Sequence, residues 1–149
     1  MRGSEPIVLD ASVLVEYLAP GQVDLVEPLL VGPVQHWIPD HCLVEVANAL
    51  RRYQRGVGRG SLTDIGAALE DLLDLRPVIV GSEALISAAV RHLDRLTAYD
   101  AVYLALAEAR DAPLCTLDRR QADAAERTGV KALVPGTQPF TAWLRDRQA

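Results

Sequence analysis

The chain has 149 residues, half of them hydrophobic and about a quarter charged, with a net charge of −5. That is enough chain to bury a core and too apolar a composition for disorder. The acidic balance excludes a protein that coats nucleic acid over much of its surface. No apolar run approaches the roughly 20 residues of a membrane span. The opening Met1-Arg2-Gly3-Ser4-Glu5-Pro6 lacks the basic and apolar regions of a signal peptide, so a cytoplasmic protein is expected. Cys42 and Cys115 lie far apart with no CxxC or CxxH spacing around either, and read as small buried apolar residues.

Ile7-Val8-Leu9 after Pro6 reads as a buried strand that stops at Asp10-Ala11-Ser12. A helix of about two turns follows, Val13 to Ala19, closed by Pro20-Gly21. A second short helix runs from Asp24 to Val31 with Pro28 inside it, and His36 to Pro39 resembles another strand. Asp40 opens a long helix to about residue 55, with Leu43, Val46, Ala47 and Leu50 on one side. Gly56, Gly58 and Gly60 break it. Ser61 or Thr63 caps a helix carrying Ile65, Leu69, Leu72 and Leu73, and Val78-Ile79-Val80 is ambiguous. Ser82 begins a helix through Leu93, and Thr97 begins another through Arg110. Pro113 to Leu117 is a strand ending in Asp118, Arg119 to Thr128 a helix ended by Gly129, and Val130 to Val134 the last strand. Phe140, Trp143 and Leu144 suit a short docking helix. Alternating strands and helices imply a single α/β domain over residues 1–149, with a central parallel sheet flanked by helices.

In such sheets the functional crevice lies beyond the C-terminal ends of the strands. Two strands here end in aspartate, Asp10 and Asp118, either of which could instead be a helix cap. Glu45 interrupts the apolar turn Cys42-Leu43-Val44-Glu45-Val46-Ala47, and a carboxylate among core residues needs a partner or a metal. Asn48 and Arg52, three and seven positions on, extend a polar stripe from it. Asp100 opens a nearly all-apolar helix, where the helix dipole alone would also favour it. Converging carboxylates repel one another, and an oxygen-rich acidic cluster suits Mg²⁺ or Mn²⁺. Such ions bind phosphates and activate water, so the chemistry implied is phosphodiester hydrolysis. Nearly all the cations are arginines, four of them between Arg51 and Arg59, and their planar forks match phosphate oxygens.

Asp10-x-Ser12 after a strand, Glu45 followed by Asn48, Tyr99-Asp100-Ala101-Val102-Tyr103-Leu104-Ala105-Leu106-Ala107 and Thr116-Leu117-Asp118 together resemble a PIN domain, in particular the VapC-type toxins of bacterial toxin–antitoxin pairs. The resemblance spans the chain and keeps the family's motif order. It implies an α/β/α sandwich, a Mg²⁺- or Mn²⁺-dependent endoribonuclease leaving 5′-phosphate and 3′-hydroxyl ends, and a cognate antitoxin. It carries the family's acidic quartet onto Asp10, Glu45, Asp100 and Asp118, and its accessory hydroxyls onto Ser12 and Thr116, which with Asn48 would orient carboxylates or water. Some relatives place a fifth acid two positions beyond the last aspartate; here that position is Arg120, and Asp123 reads as a surface residue. Arg51, Arg52, Arg55, Arg119 and Arg120 are candidates for guiding an RNA backbone, and apolar helix surfaces suggest a homodimer. Rival enzyme classes fit less well. A dehalogenase-type phosphotransferase expects Asp-x-Asp where Ser12 stands, a receiver domain expects a lysine at a late strand end, and dinucleotide binding needs a glycine-rich turn. The remaining alternative is a catalytically weak PIN fold that binds RNA or a partner.

Overall fold

The structure is a computed structural model that describes residues 4–19, 23–57 and 62–148, with the side chains of 23, 53–57 and 62–64 left out. Its centre is a five-stranded parallel sheet in the order β3-β2-β1-β4-β5. The central strand, β1 (Glu5–Leu9), runs as the unbroken apolar triplet Ile7-Val8-Leu9, all fully buried. Continuous rather than alternating hydrophobicity is the signature of a strand covered on both faces. It pairs with β2 (Val34–Pro39) on one side and with β4 (Leu114–Cys115) on the other. The edges are β3 (Val78–Val80) beside β2 and β5 (Ala132–Leu133) beside β4.

The chain fills one side of β1 first and then crosses to the other. The order therefore reverses beside β1, and the gap past the ends of β1 and β4 is where α/β sheets bind ligands. Helices α1 (Ala11–Leu18), α2 (Val23–Leu30), α3 (His41–Val57) and α4 (Leu62–Asp74) connect the first three strands. The short α5 (Ile86–Ala89) and the long α6 (Ala98–Arg110) lead to β4, α7 (Arg119–Arg127) joins β4 to β5, and α8 (Gln138–Gln148) closes the described chain. Helix α6 packs against β1, β2 and β4, and every residue from Ala101 to Ala107 is buried.

The expected elements are present, with several corrections. The helix expected from Ser82 through Leu93 is broken into a 3₁₀ turn (Ser82–Ala84), α5 and a second 3₁₀ turn (Val90–His92). Leu85, Ala89 and His92 are buried while Ile86, Val90 and Leu93 stay exposed. That i, i+4, i+7 stripe is the one a continuous helix would show, so the break leaves no trace in the sequence pattern. The ambiguous Val78–Val80 is an edge strand, registered on Trp37 to Pro39. Strands β4 and β5 are two residues each, shorter than the expected 113–117 and 130–134. Leu72 is in the core, whereas Leu73 is half exposed. The expected cap at Ser61 lies outside the described residues, and the Thr63 side chain does too. Phe140, Trp143 and Leu144 dock α8 as expected, and Arg147 stacks 3.8 Å over the Trp143 ring.

Both cysteines are free and buried, and burial pushes the Cys42 thiol up to about 12, so neither is a reactive thiolate. Among the described residues, no helix is long and apolar enough to cross a membrane.

Candidate active site

Asp10 follows the last residue of β1, and its backbone N–H still bonds to Cys115 of the adjacent strand. It occupies the N-cap position of α1 but makes no side-chain cap. Its Oδ2 instead accepts from Ser12 Oγ at 2.6 Å and from Thr116 Oγ1 at 2.9 Å. A capping aspartate would spend its carboxylate on helix N–H groups. This one is held by hydroxyls from two segments over a hundred residues apart in the chain. Burial lifts its carboxyl above the usual range, the two hydroxyls pull it back, and the charge of Glu45 raises it again.

Ser12 and Thr116 do more than touch Asp10. Leu117 N–H donates to Ser12 Oγ at 3.0 Å, and Asp118 N–H donates to Thr116 Oγ1 at 3.0 Å. The two hydroxyls thus lace the turn after β1 to the turn after β4. Asp118 has the second role weighed for it. It caps α7, its Oδ1 accepting from Arg120 N–H at 2.9 Å and Gln121 N–H at 3.4 Å.

Asp100 lies in the first turn of α6, where Thr97 caps the helix through the Asp100 N–H. Burial raises its carboxyl first, then the charges of Asp10, Asp118 and Glu45, while Arg120 opposes them. Asp100 is therefore within electrostatic reach of the other three predicted acids. Glu45 sits on the face of α3 turned to this cluster, its Oε1 held by Tyr103 OH at 2.9 Å and His41 Nε2 at 2.9 Å. Burial works against the charge on His41, but the bond and charge of Glu45 and the carbonyl of Tyr99 together hold its pKa above the ordinary value.

One open cleft of about 970 Å³ is lined by all four acids, with Ser12, Asn48 and Arg52 also on its wall. Thr116 is fully buried behind it. Among the arginines the structure brings Arg52 to the cleft and Arg120 to within 3.9 Å of Asp100. Arg51 and Arg119 are exposed but not on its lining, and the Arg55 side chain lies outside the described residues. Asp123 is exposed, as expected.

Four further residues serve the site in roles that the sequence did not assign, three on the cleft lining and Tyr103 buried behind it. Glu16 is a further acid on the lining, one turn after Ser12 on α1. His41 and Tyr103 both hold Glu45, and Tyr99 stands beside Asp100 on the rim. The i, i+4 spacing of His41 and Glu45 was the available signal.

The donor set fits a hard divalent cation. Asp10, Glu45 and Asp118 each have one carboxylate oxygen tied to the protein, and the described hydrogen bonds leave the other available. An all-oxygen, like-charged set is what Mg²⁺ or Mn²⁺ relieves. Among the described residues no three such side chains already form a closed metal cage. Mg²⁺ needs none, because it keeps several waters and takes only one or two carboxylates directly.

Comparison with known proteins identifies the family and the fold. The PIN domain family matches residues 7–127. Ribonuclease VapC3 of Mycobacterium tuberculosis is 35% identical over 122 residues, covering 80% of this chain and 88% of that protein. Among solved structures, PAE2754 from Pyrobaculum aerophilum superposes with a TM-score of 0.65 at 21% identity, over 98% of this chain and 92% of that one. VapBC2 from Rickettsia felis, solved bound to a promoter DNA fragment, gives 0.61 at 13% identity, over 87% of this chain and 98% of that one. At those identities the structural likeness speaks for the fold.

Proposed function

The chain belongs to the PIN domain family, with a VapC ribonuclease as a homologue, and from that premise we propose that it is a Mg²⁺- or Mn²⁺-dependent endoribonuclease acting as the toxin of a type II toxin–antitoxin pair. One observation carries the reading: four carboxylates from four separate segments face one cleft, and the charges of the other three all act to raise the Asp100 carboxyl.

Asp10, Glu45, Asp100 and Asp118 would hold the ion, which when bound stabilises charge at the phosphate and activates water. The rest of the work falls to the chain. Ser12 and Thr116 fix Asp10 in one orientation, and Tyr103 and His41 fix Glu45, so the carboxylates lose little entropy on loading. Asn48 offers an amide to water or phosphate at the cleft wall. Arg52 and Arg120 draw the RNA backbone across the acidic floor, with Arg51 and Arg119 as outer contacts, and Arg55 remains a candidate from sequence; such contacts give affinity without sequence choice. Arg120 stands where a fifth acid occurs in some relatives, which lowers the charge that a metal must offset.

Two solved neighbours in fold are VapBC2 from Rickettsia felis and FitAcB from Neisseria gonorrhoeae. For this chain the antitoxin is a proposal, supported by a cleft acidic enough to receive an arginine side chain. A homodimer is proposed on Ile86, Val90 and Leu93, which leave an apolar stripe exposed.

The test is cleavage of mixed RNAs with Mg²⁺, Mn²⁺ or EDTA. Cleavage should need the metal and should fall at least about a hundredfold in Asp10→Asn, with an unchanged circular dichroism spectrum. Near wild-type turnover in that variant would overturn the site. Expression alone should slow bacterial growth, and harmless expression at a verified soluble level would overturn the toxin role.

A further inference from the structure

Eight large apolar side chains are exposed among the described residues, and two of them, Tyr99 (64% exposed) and Val44 (71%), line the acidic cleft. A metal and a phosphate have no use for apolar surface, and exposing it has a cost that burial elsewhere would remove. Tyr99 is also supported from behind. Its ring centroid is 5.9 Å from that of His41, which in turn meets the buried Tyr103 edge-on at 5.1 Å. The backbone carbonyl of Tyr99 accepts from His41 Nε2 at 3.2 Å, so backbone and ring are both braced against α3.

Resting on the ribonuclease reading, we propose that Tyr99, braced by His41 and sharing the cleft wall with the exposed Val44, is a stacking platform for an unpaired base of the substrate. The chemistry is that of a flat, apolar π-face meeting a supported aromatic ring, which every base can do and no base pair within a duplex can. Tyr99 precedes Asp100 directly in the chain. A base on its ring therefore places a neighbouring phosphate over the carboxylates, so that the platform positions the substrate as well as binding it. It selects single-stranded RNA by structure and is tolerant of sequence.

The experiment measures binding of a short fluorescent single-stranded RNA by anisotropy, in parallel with its cleavage. Wild type is compared with Tyr99→Ala, Tyr99→Leu and Tyr99→Phe, on the intact strand and on strands carrying one abasic residue at each position in turn. Tyr99→Ala and Tyr99→Leu should weaken the intact strand by about fivefold or more, the low end of what a base–aromatic stack supplies. Tyr99→Phe should keep wild-type affinity. The loss should vanish for one abasic position, and it should appear in KM more than in kcat. An equal loss on intact and abasic strands, or none at all, would overturn the platform while leaving the nuclease reading in place. Loss of a protein partner without loss of RNA binding would likewise overturn it, reassigning the surface to that partner. Wild type that neither binds nor cleaves RNA would overturn the underlying function, a result separate from any Tyr99 effect.

Discussion

Asp10 and Asp118 look alike in sequence, each an aspartate between a strand and a helix, but they are spent differently. Asp10 gives its carboxylate to Ser12 and Thr116, and Asp118 gives one oxygen to the first turn of α7. Substitution should separate the two jobs of Asp118. Asp118→Asn removes a charge from a repelling set while keeping a good cap, so in EDTA it should melt at or above wild type. Asp118→Ala loses the cap as well and should be about 1 kcal/mol less stable than Asp118→Asn, roughly 2–6 °C in a domain of this size. Thermal melts of the three proteins in EDTA check this. Equal melting of the Ala and Asn variants would mean that the cap contributes nothing.

At the scale of elements, the sequence was most legible where the pattern was long. Helix α6 begins at the predicted Thr97 cap and ends at Arg110, as its near-continuous apolar run required. The 82–93 segment was misread because tertiary packing, which sequence periodicity does not contain, set its backbone. The junction of α2 and β2 is held by a buried histidine. His36 Nε2 donates to the Leu29 carbonyl at 3.2 Å, satisfying one of the unpaired carbonyls at the end of α2. Burial lowers the His36 pKa below its ordinary value, and the Leu29 carbonyl only partly restores it. The folded protein thus prefers neutral His36 more than the unfolded chain does. Its contribution is fully present above about pH 6.5 and is lost as the pH falls through the lower folded value. His41 acts in the opposite sense, since its pKa is raised, so the His36 effect is read as a difference. His36→Gln keeps a donor for Leu29 and cannot titrate. Denaturant unfolding at pH 7.5 and pH 5 should therefore show a smaller acid loss in His36→Gln than in wild type; equal losses would remove His36 as the cause.

For the whole molecule, the proposed metal site predicts that stability depends on divalent cation. For a dissociation constant near 1 mM, about 10 mM Mg²⁺ adds roughly 1.4 kcal/mol to the wild type by mass action. That corresponds to a rise of roughly 3–6 °C in melting temperature. Asp10→Asn, which removes the most buried carboxylate of the four, should gain little from the same addition. Melts at constant ionic strength, with and without Mg²⁺, measure both shifts. Equal shifts in the two proteins would place the ion elsewhere.

The sequence by itself determined the fold class, the parallel sheet and four of the acids that line one cleft, because each leaves a local trace: an apolar triplet, a strand-end aspartate, a carboxylate among core residues. The order of those motifs was enough to indicate the family. Only the tertiary structure decided which carboxylate oxygen is tied and which is available, since Asp10 is held from Thr116 and Glu45 from Tyr103. Contacts between residues 106 and 58 positions apart leave no periodicity to read. The same holds for the aromatic wall of His41, Tyr99 and Tyr103, which exists only once α3 and α6 have packed beside each other at the strand ends.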